Sequence, residues 1–122
     1  MKKGLLIILL AFAQQIIAQK ASPALAKSYS KTELQAFEQD GQGTINILNY
    51  AVDHACYTVV IPEGKEVGQF PVISVKSKKD IRFTDYQLQI KDRTQYFNIE
   101  GSNELLVVKS INVLKLEMQN KK

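Results

Sequence analysis

The sequence predicts an α+β fold, with one or two short N-terminal helices packed on an antiparallel sheet of about five strands. Three observations lead to it. Ser30-Lys31-Thr32-Glu33 has the S-x-x-E spacing of a capped helix start. Cys56 to Ile61 is a β-branched and aromatic run that stops at Pro62. From residue 71 onward, short strand-like segments follow one another with turn residues between them.

The first element is a targeting segment. Lys2 and Lys3 form a positive start, Leu5 to Ala13 is unbroken apolar sequence, and small residues follow at Ala13 and Ala18. This is the three-part layout of a cleavable secretory signal peptide over residues 1–18, with Ala18 the preferred cut and Ala13 the alternative. The uncharged stretch from Gly4 to Gln19 is shorter than the ~20 apolar residues a spanning helix needs, and it contains two Gln before its end. The mature chain is therefore expected outside the cytoplasm, periplasmic or extracellular, with no transmembrane span. A lone Cys56 offers no intramolecular disulfide, and its distance from the cut excludes a lipid-anchored export signal.

Residues 19–29 read as a mobile lead-in, and residues 30–122 as a single small domain. Tyr29 and Leu34 stand at the staple positions around the Ser30 box, Leu34 and Phe37 share a face, and Asp40-Gly41-Gln42-Gly43 ends a helix over 31–39. Ile45, Leu48, Val52 and Ala55 recur at helical spacing, which predicts a second helix over 44–55 and then the strand 56–61. Glu63 to Glu66 is a turn, 71–75 a short strand and 76–80 a polar connection. Tyr86-Gln-Leu-Gln-Ile90 alternates as a half-solvated antiparallel strand should. Residues 91–94 make a hairpin loop to a strand at 95–99, and Gly101 to Asn103 turns into 105–109. The last run, 111–118, changes phase and is assigned to a strand with a bulge near 113–114.

Composition narrows the function classes. Apolar residues make up 45% and charged residues 23%, a globular balance that argues against disorder. Cleavage removes Lys2 and Lys3, leaving 14 basic against 12 acidic residues and a net charge of +2. That disfavours nucleic acid as a partner. One His and one Cys supply no zinc ligand set, the acidic Glu63 and Glu66 lack the companions a calcium loop needs, and no phosphate-binding glycine motif occurs. No metal and no cofactor are expected.

Two candidate sites remain. Asp53-His54-Ala55-Cys56 pairs the only imidazole with the only thiol, and a thiolate nucleophile needs such a base in reach. Residues two apart diverge by about 200° on a helix, so the pairing requires extended backbone there. The segment Lys76, Lys78, Lys79 and Arg82 is the densest basic stretch and could grip an anionic ligand. The best-supported expectation is a non-enzymatic binding or protein-interaction module of the cell envelope, engaging another protein or an envelope polymer. The alternatives are a thiol-dependent enzyme using Cys56 with His54, or an anion binder acting through Lys76–Arg82.

Export is directly measurable. Protein recovered from the producing cell should begin near Gln19 or Gln14 and lie outside the cytosol; full-length 13.7 kDa protein confined to the cytosol contradicts the targeting assignment.

Overall fold

Ser30 caps the first α-helix, α1 (Lys31–Gln39), with both halves of the box in place. Its hydroxyl accepts from the Glu33 amide at 3.1 Å, and the Glu33 carboxylate accepts from the Ser30 amide at 2.8 Å. The computed structural model describes residues 20–62 and 68–120, so the expected leader at 1–18 and the turn at 63–66 lie outside the described residues. Gly41 and Gly43 take φ of 71° and 74°, a left-handed backbone that L side chains resist, and the chain turns there into α2 (Thr44–His54). Ile45, Ile47, Leu48, Ala51 and Val52 are its buried residues. A single residue, the buried Ala55, then separates α2 from strand β1 (Cys56–Val60).

Three further strands complete one sheet: β2 (Val72–Ile73), β3 (Gln95–Ile99) and β4 (Glu104–Val108), in the order β1-β4-β3-β2. β4 pairs antiparallel with both β1 and β3, and Gly101, with φ of 71°, sits in the β3–β4 turn. β2 pairs parallel with β3. Among the described residues the sheet is therefore mixed and four-stranded, where the sequence predicts an antiparallel sheet of about five strands. A parallel pair needs a crossover of a dozen or more residues, and residues 74–94 provide it, anchored by the fully buried Phe83 in a 3-10 turn over Phe83–Tyr86.

Three segments differ from the sequence-based expectation. Residues 86–90 are not a strand. Gln87 adopts φ of 54° and ends the 3-10 turn, and the backbone bonds elsewhere: the Leu88 amide donates to Phe83 O and the Ile90 amide to the Tyr29 hydroxyl. The alternation of Leu88 and Ile90 reports only that both lean on the core. Residues Ile111–Gln119 form a helix, α3, capped by Ser110, whose hydroxyl accepts from the Val113 amide. Ile111, Leu114 and Met118 fall on one helical stripe that packs on the core, so the apparent strand slip was a change of period. The lead-in is also part of the fold. Pro23–Lys27 forms a 3-10 turn that places Leu25 at 0% exposure, a burial that contributes about 2 kcal/mol.

Helices and crossover gather on one face of the sheet. Leu25, Leu48, Val52, Phe83 and Leu114 form a single buried cluster with Leu106, Val108 and Ile99. Tyr29 joins α1 to this cluster, its ring meeting Phe37 edge-on at 5.5 Å. Ser30→Ala should lower stability by ~1 kcal/mol through the lost cap. An unchanged urea midpoint would show that α1 is not coupled to the cooperative core.

Candidate functional site

The sheet has two faces of different character, and register assigns residues to each. Tyr57, Val107 and Tyr96 form one cross-strand row and Val59, Leu105 and Asn98 the next, all pointing away from the helices. None of these residues belongs to the buried core cluster. Tyr57 is 47% exposed, Val59 42%, Tyr96 41% and Val72, beside Asn98, 67%. Val107 between the two tyrosines is only 1% exposed. Among the described residues, no helix lies across this face. It is apolar, aromatic and open.

At one end of this face the sheet gives way to a groove of about 610 Å³. Its construction follows from the ladder. Lys109 N–H donates to Ala55 O and Ile61 N–H to Asn103 O, so the odd-numbered residues of β4 turn their backbone groups toward β1. The even-numbered ones then serve β3, whose residues 95, 97 and 99 face β4. Tyr96 and Asn98 face the opposite side. Asn98 N–H donates to Pro71 O at 2.8 Å and Glu100 N–H to Ile73 O at 2.9 Å. The Tyr96 carbonyl is next in that series and would accept from residue 71, but Pro71 has no N–H. The parallel pairing stops there, and the groove opens over the edge of β3.

One wall is the Gly68–Phe70 turn. Phe70 N–H donates to Gly68 O, and the Asn98 side-chain amide donates to Phe70 O at 3.1 Å. The Phe70 ring lies so close to Gly68 that a β-carbon there would sit 2.9 Å from it. The ring also packs on Tyr96 at 5.2 Å, tilted by 31°. The other wall runs from Gln87 to Gln89 and on past Lys91 and Arg93. It is tied down at several points: Gln89 Nε2 donates to Ser28 O, Gln95 Nε2 to Gln89 O, and Ile111 N–H to Lys91 O. Among the described residues, the groove lining holds two cations, Lys91 and Arg93, and no carboxylate.

The sequence candidates sit elsewhere. His54 is the last residue of α2 and is exposed; its ring stacks on Tyr50 at 4.1 Å, with Nδ1 2.8 Å from Tyr50 O. Cys56 is half-buried at the start of β1. Burial pushes its thiol up from 9.0 to about 12, and the negative charge of Asp85 adds to the effect. The two residues are not arranged as base and nucleophile. An activated cysteine needs the opposite environment, electropositive and accessible.

The basic stretch is divided in the fold. Lys78 pairs with Glu104, holding that carboxyl below its usual range, and Arg82 pairs with Asp53 at 2.9 Å. Lys76 and Lys79 share a hollow with Asp80 and Asp85. Two of the four cations are thus neutralised locally, and the other two have acids beside them. Among the described residues no cluster of metal-ligating side chains occurs, and no helix is long and apolar enough to cross a membrane.

Sequence reasoning missed the groove because its parts are far apart along the chain. Two local signals existed: Pro71 at the start of a short strand, which forbids a ladder bond, and the Lys91/Arg93 pair before an aromatic strand. Scans of protein-family models, curated proteins and solved structures return no match to this chain.

Thiol labelling tests the assignment of Cys56. With a folded value near 12, little thiolate exists even at pH 9, where the unfolded chain is half ionised. Labelling of native protein should be slow at pH 9 and accelerate in denaturant, and Cys56→Ser should cost about 1–3 kcal/mol for the buried hydroxyl. Rapid native labelling that His54→Ala abolishes would instead identify a catalytic pair.

Proposed function

We propose that this chain is an exported, non-enzymatic interaction module of the cell envelope that engages a partner protein across the open face of its sheet. One observation carries the reading: Tyr57, Val59, Val72 and Tyr96 leave large apolar area exposed on a face that the described helices do not cover. Contiguous exposed apolar surface on a small domain marks an interaction site, and tyrosines are favoured there because they bury much area with little entropy loss. The raised thiol of Cys56 and its separation from the engaged His54 ring weigh against the thiol-enzyme reading. The ion pairs of Lys78 and Arg82 weigh against an anion site at Lys76–Arg82. Export follows from the Lys2–Ala18 pattern and puts the partner in the envelope or outside it.

Site-directed photo-crosslinking tests this. A benzoylphenylalanine replacing Tyr57 should give discrete adducts in intact producing cells, whereas one replacing Gln35 on α1 should not. Tyr57→Lys should remove the interaction while changing stability by no more than ~0.5 kcal/mol, as expected of an exposed site. Adducts of equal yield from both positions, or from neither, would reject the sheet face as the contact.

A further inference from the structure

Strand β3 carries a vacancy in its hydrogen bonding. Asn98 N–H and Glu100 N–H bond to β2, but two residues earlier the ladder meets Pro71. The Tyr96 carbonyl has no donor opposite it, and among the described residues the Tyr96 amide has no acceptor. Pro71 and Tyr96 both line the groove, together with the Phe70 ring that packs on Tyr96 and with Lys91 and Arg93. An unpaired N–H and C=O at a strand edge are a template for one more strand.

We infer that the groove takes an extended acidic segment of a partner protein, which adds to the edge of β3 at Tyr96 and continues the line of β2. Backbone bonds to Tyr96 hold the segment in strand form, one side chain of its alternation meets the Phe70–Tyr96 pair, and carboxylates meet Lys91 and Arg93. Charge selects this occupant. Among the described residues the lining has two cations and no carboxylate, and Arg93 is held only loosely, 3.9 Å from an Asp92 that is itself 87% exposed. A basic segment is disfavoured by the same charges. The inference rests on the interaction-module reading and concerns an adjoining surface that shares Tyr96 with the open face; the Tyr57 crosslink reports on the face and Tyr96 amide exchange on the groove, so the failure of one is distinguishable from the failure of the other.

The probe is a set of acetylated, amidated octapeptides that alternate Asp with Val, Leu or Tyr, compared with matched peptides carrying Lys for Asp. Amide exchange and ¹H–¹⁵N spectra of the mature protein provide the readout. In the free protein the Tyr96 amide should exchange faster than those of Phe97 and Ile99, which face β4. Saturating Asp peptide should slow it about tenfold or more, the equivalent of 1.4 kcal/mol of protection. The Lys91→Glu/Arg93→Glu double variant should weaken Asp-peptide binding at least about tenfold and bind the Lys peptides instead, with unchanged thermal stability. Backbone N-methylation at alternate peptide residues should abolish binding in one of its two phases, because only one set of amides faces β3. The inference is overturned if Tyr96 is already protected in the free protein. It is equally overturned if Asp and Lys peptides bind alike, if binding leaves Tyr96 exchange unchanged, or if no peptide binds at about 1 mM.

Discussion

Strand Glu104–Val108 bonds on both sides, and the positions of the other elements follow from that double pairing. Its odd residues serve Cys56–Val60 and its even residues serve Gln95–Ile99, so in each flanking strand the odd-numbered residues bond to it and the even-numbered ones of Gln95–Ile99 are turned away. The same alternation sends Leu106 and Val108 into the core and Val107 to the opposite face. A slip of one residue in this strand would exchange those faces. It would also move the free edge of β3 from Tyr96 to a neighbour whose side chain points the other way. The core and the groove thus share one register.

The core is built on one side only. Two long helical stripes, a fully buried Phe83 in the crossover and Leu25 from the N-terminal 3-10 turn all pack against the same face. A domain of this size buries a modest fraction of its surface, so each such anchor matters to the total. On the opposite face Val107 is buried, while its cross-strand neighbours Tyr57 and Tyr96 remain partly in water. The Lys109 ammonium pairs with Glu117 at 2.6 Å and lies 5.8 Å from the Tyr57 ring centroid. An antiparallel sheet with a solvated face usually places polar residues there. Aromatic and β-branched residues in their place are the departure from rule on which the functional reading depends.

The polar surface is organised by pairing across sequence. Lys78 reaches Glu104, Arg82 reaches Asp53, and Lys27 reaches Asp85 at 3.2 Å. Exposed pairs of this kind contribute little to stability individually. Their larger consequence is to neutralise cations that look like a patch in the sequence, whereas Lys91 and Arg93 line the groove beside an aromatic wall with only the loosely held, exposed Asp92 near them.

Features whose cause is local were legible in the sequence. The Ser30–Glu33 box, the glycine break at 41–43, the helical stripe of 44–54 and the β-branched strand after Ala55 each arise from contacts within a few residues, and all are present in the fold. The strands 95–99 and 104–108 and the Gly101 turn between them belong to the same class. The direction of Val72–Ile73, the irregular path of 86–90 and the packing of Leu25 were decided by partners distant along the chain: Asn98, the Tyr29 hydroxyl, and the α2 helix with the Phe83 turn. The helix at 111–119 lies between the two classes. Ser110 and the Ile111, Leu114, Met118 spacing marked it, but Val113 and Leu116, left exposed on its outer side, imitated a strand alternation until the core selected the helical stripe. The groove was least legible of all. Its lining comes from residues 70–71, 87–89, 91 and 93–97, and its chemistry is a missing hydrogen bond, which exists only once Pro71 has been placed opposite Tyr96. Local propensity names the strands, but only tertiary pairing determines which backbone groups are left without a partner.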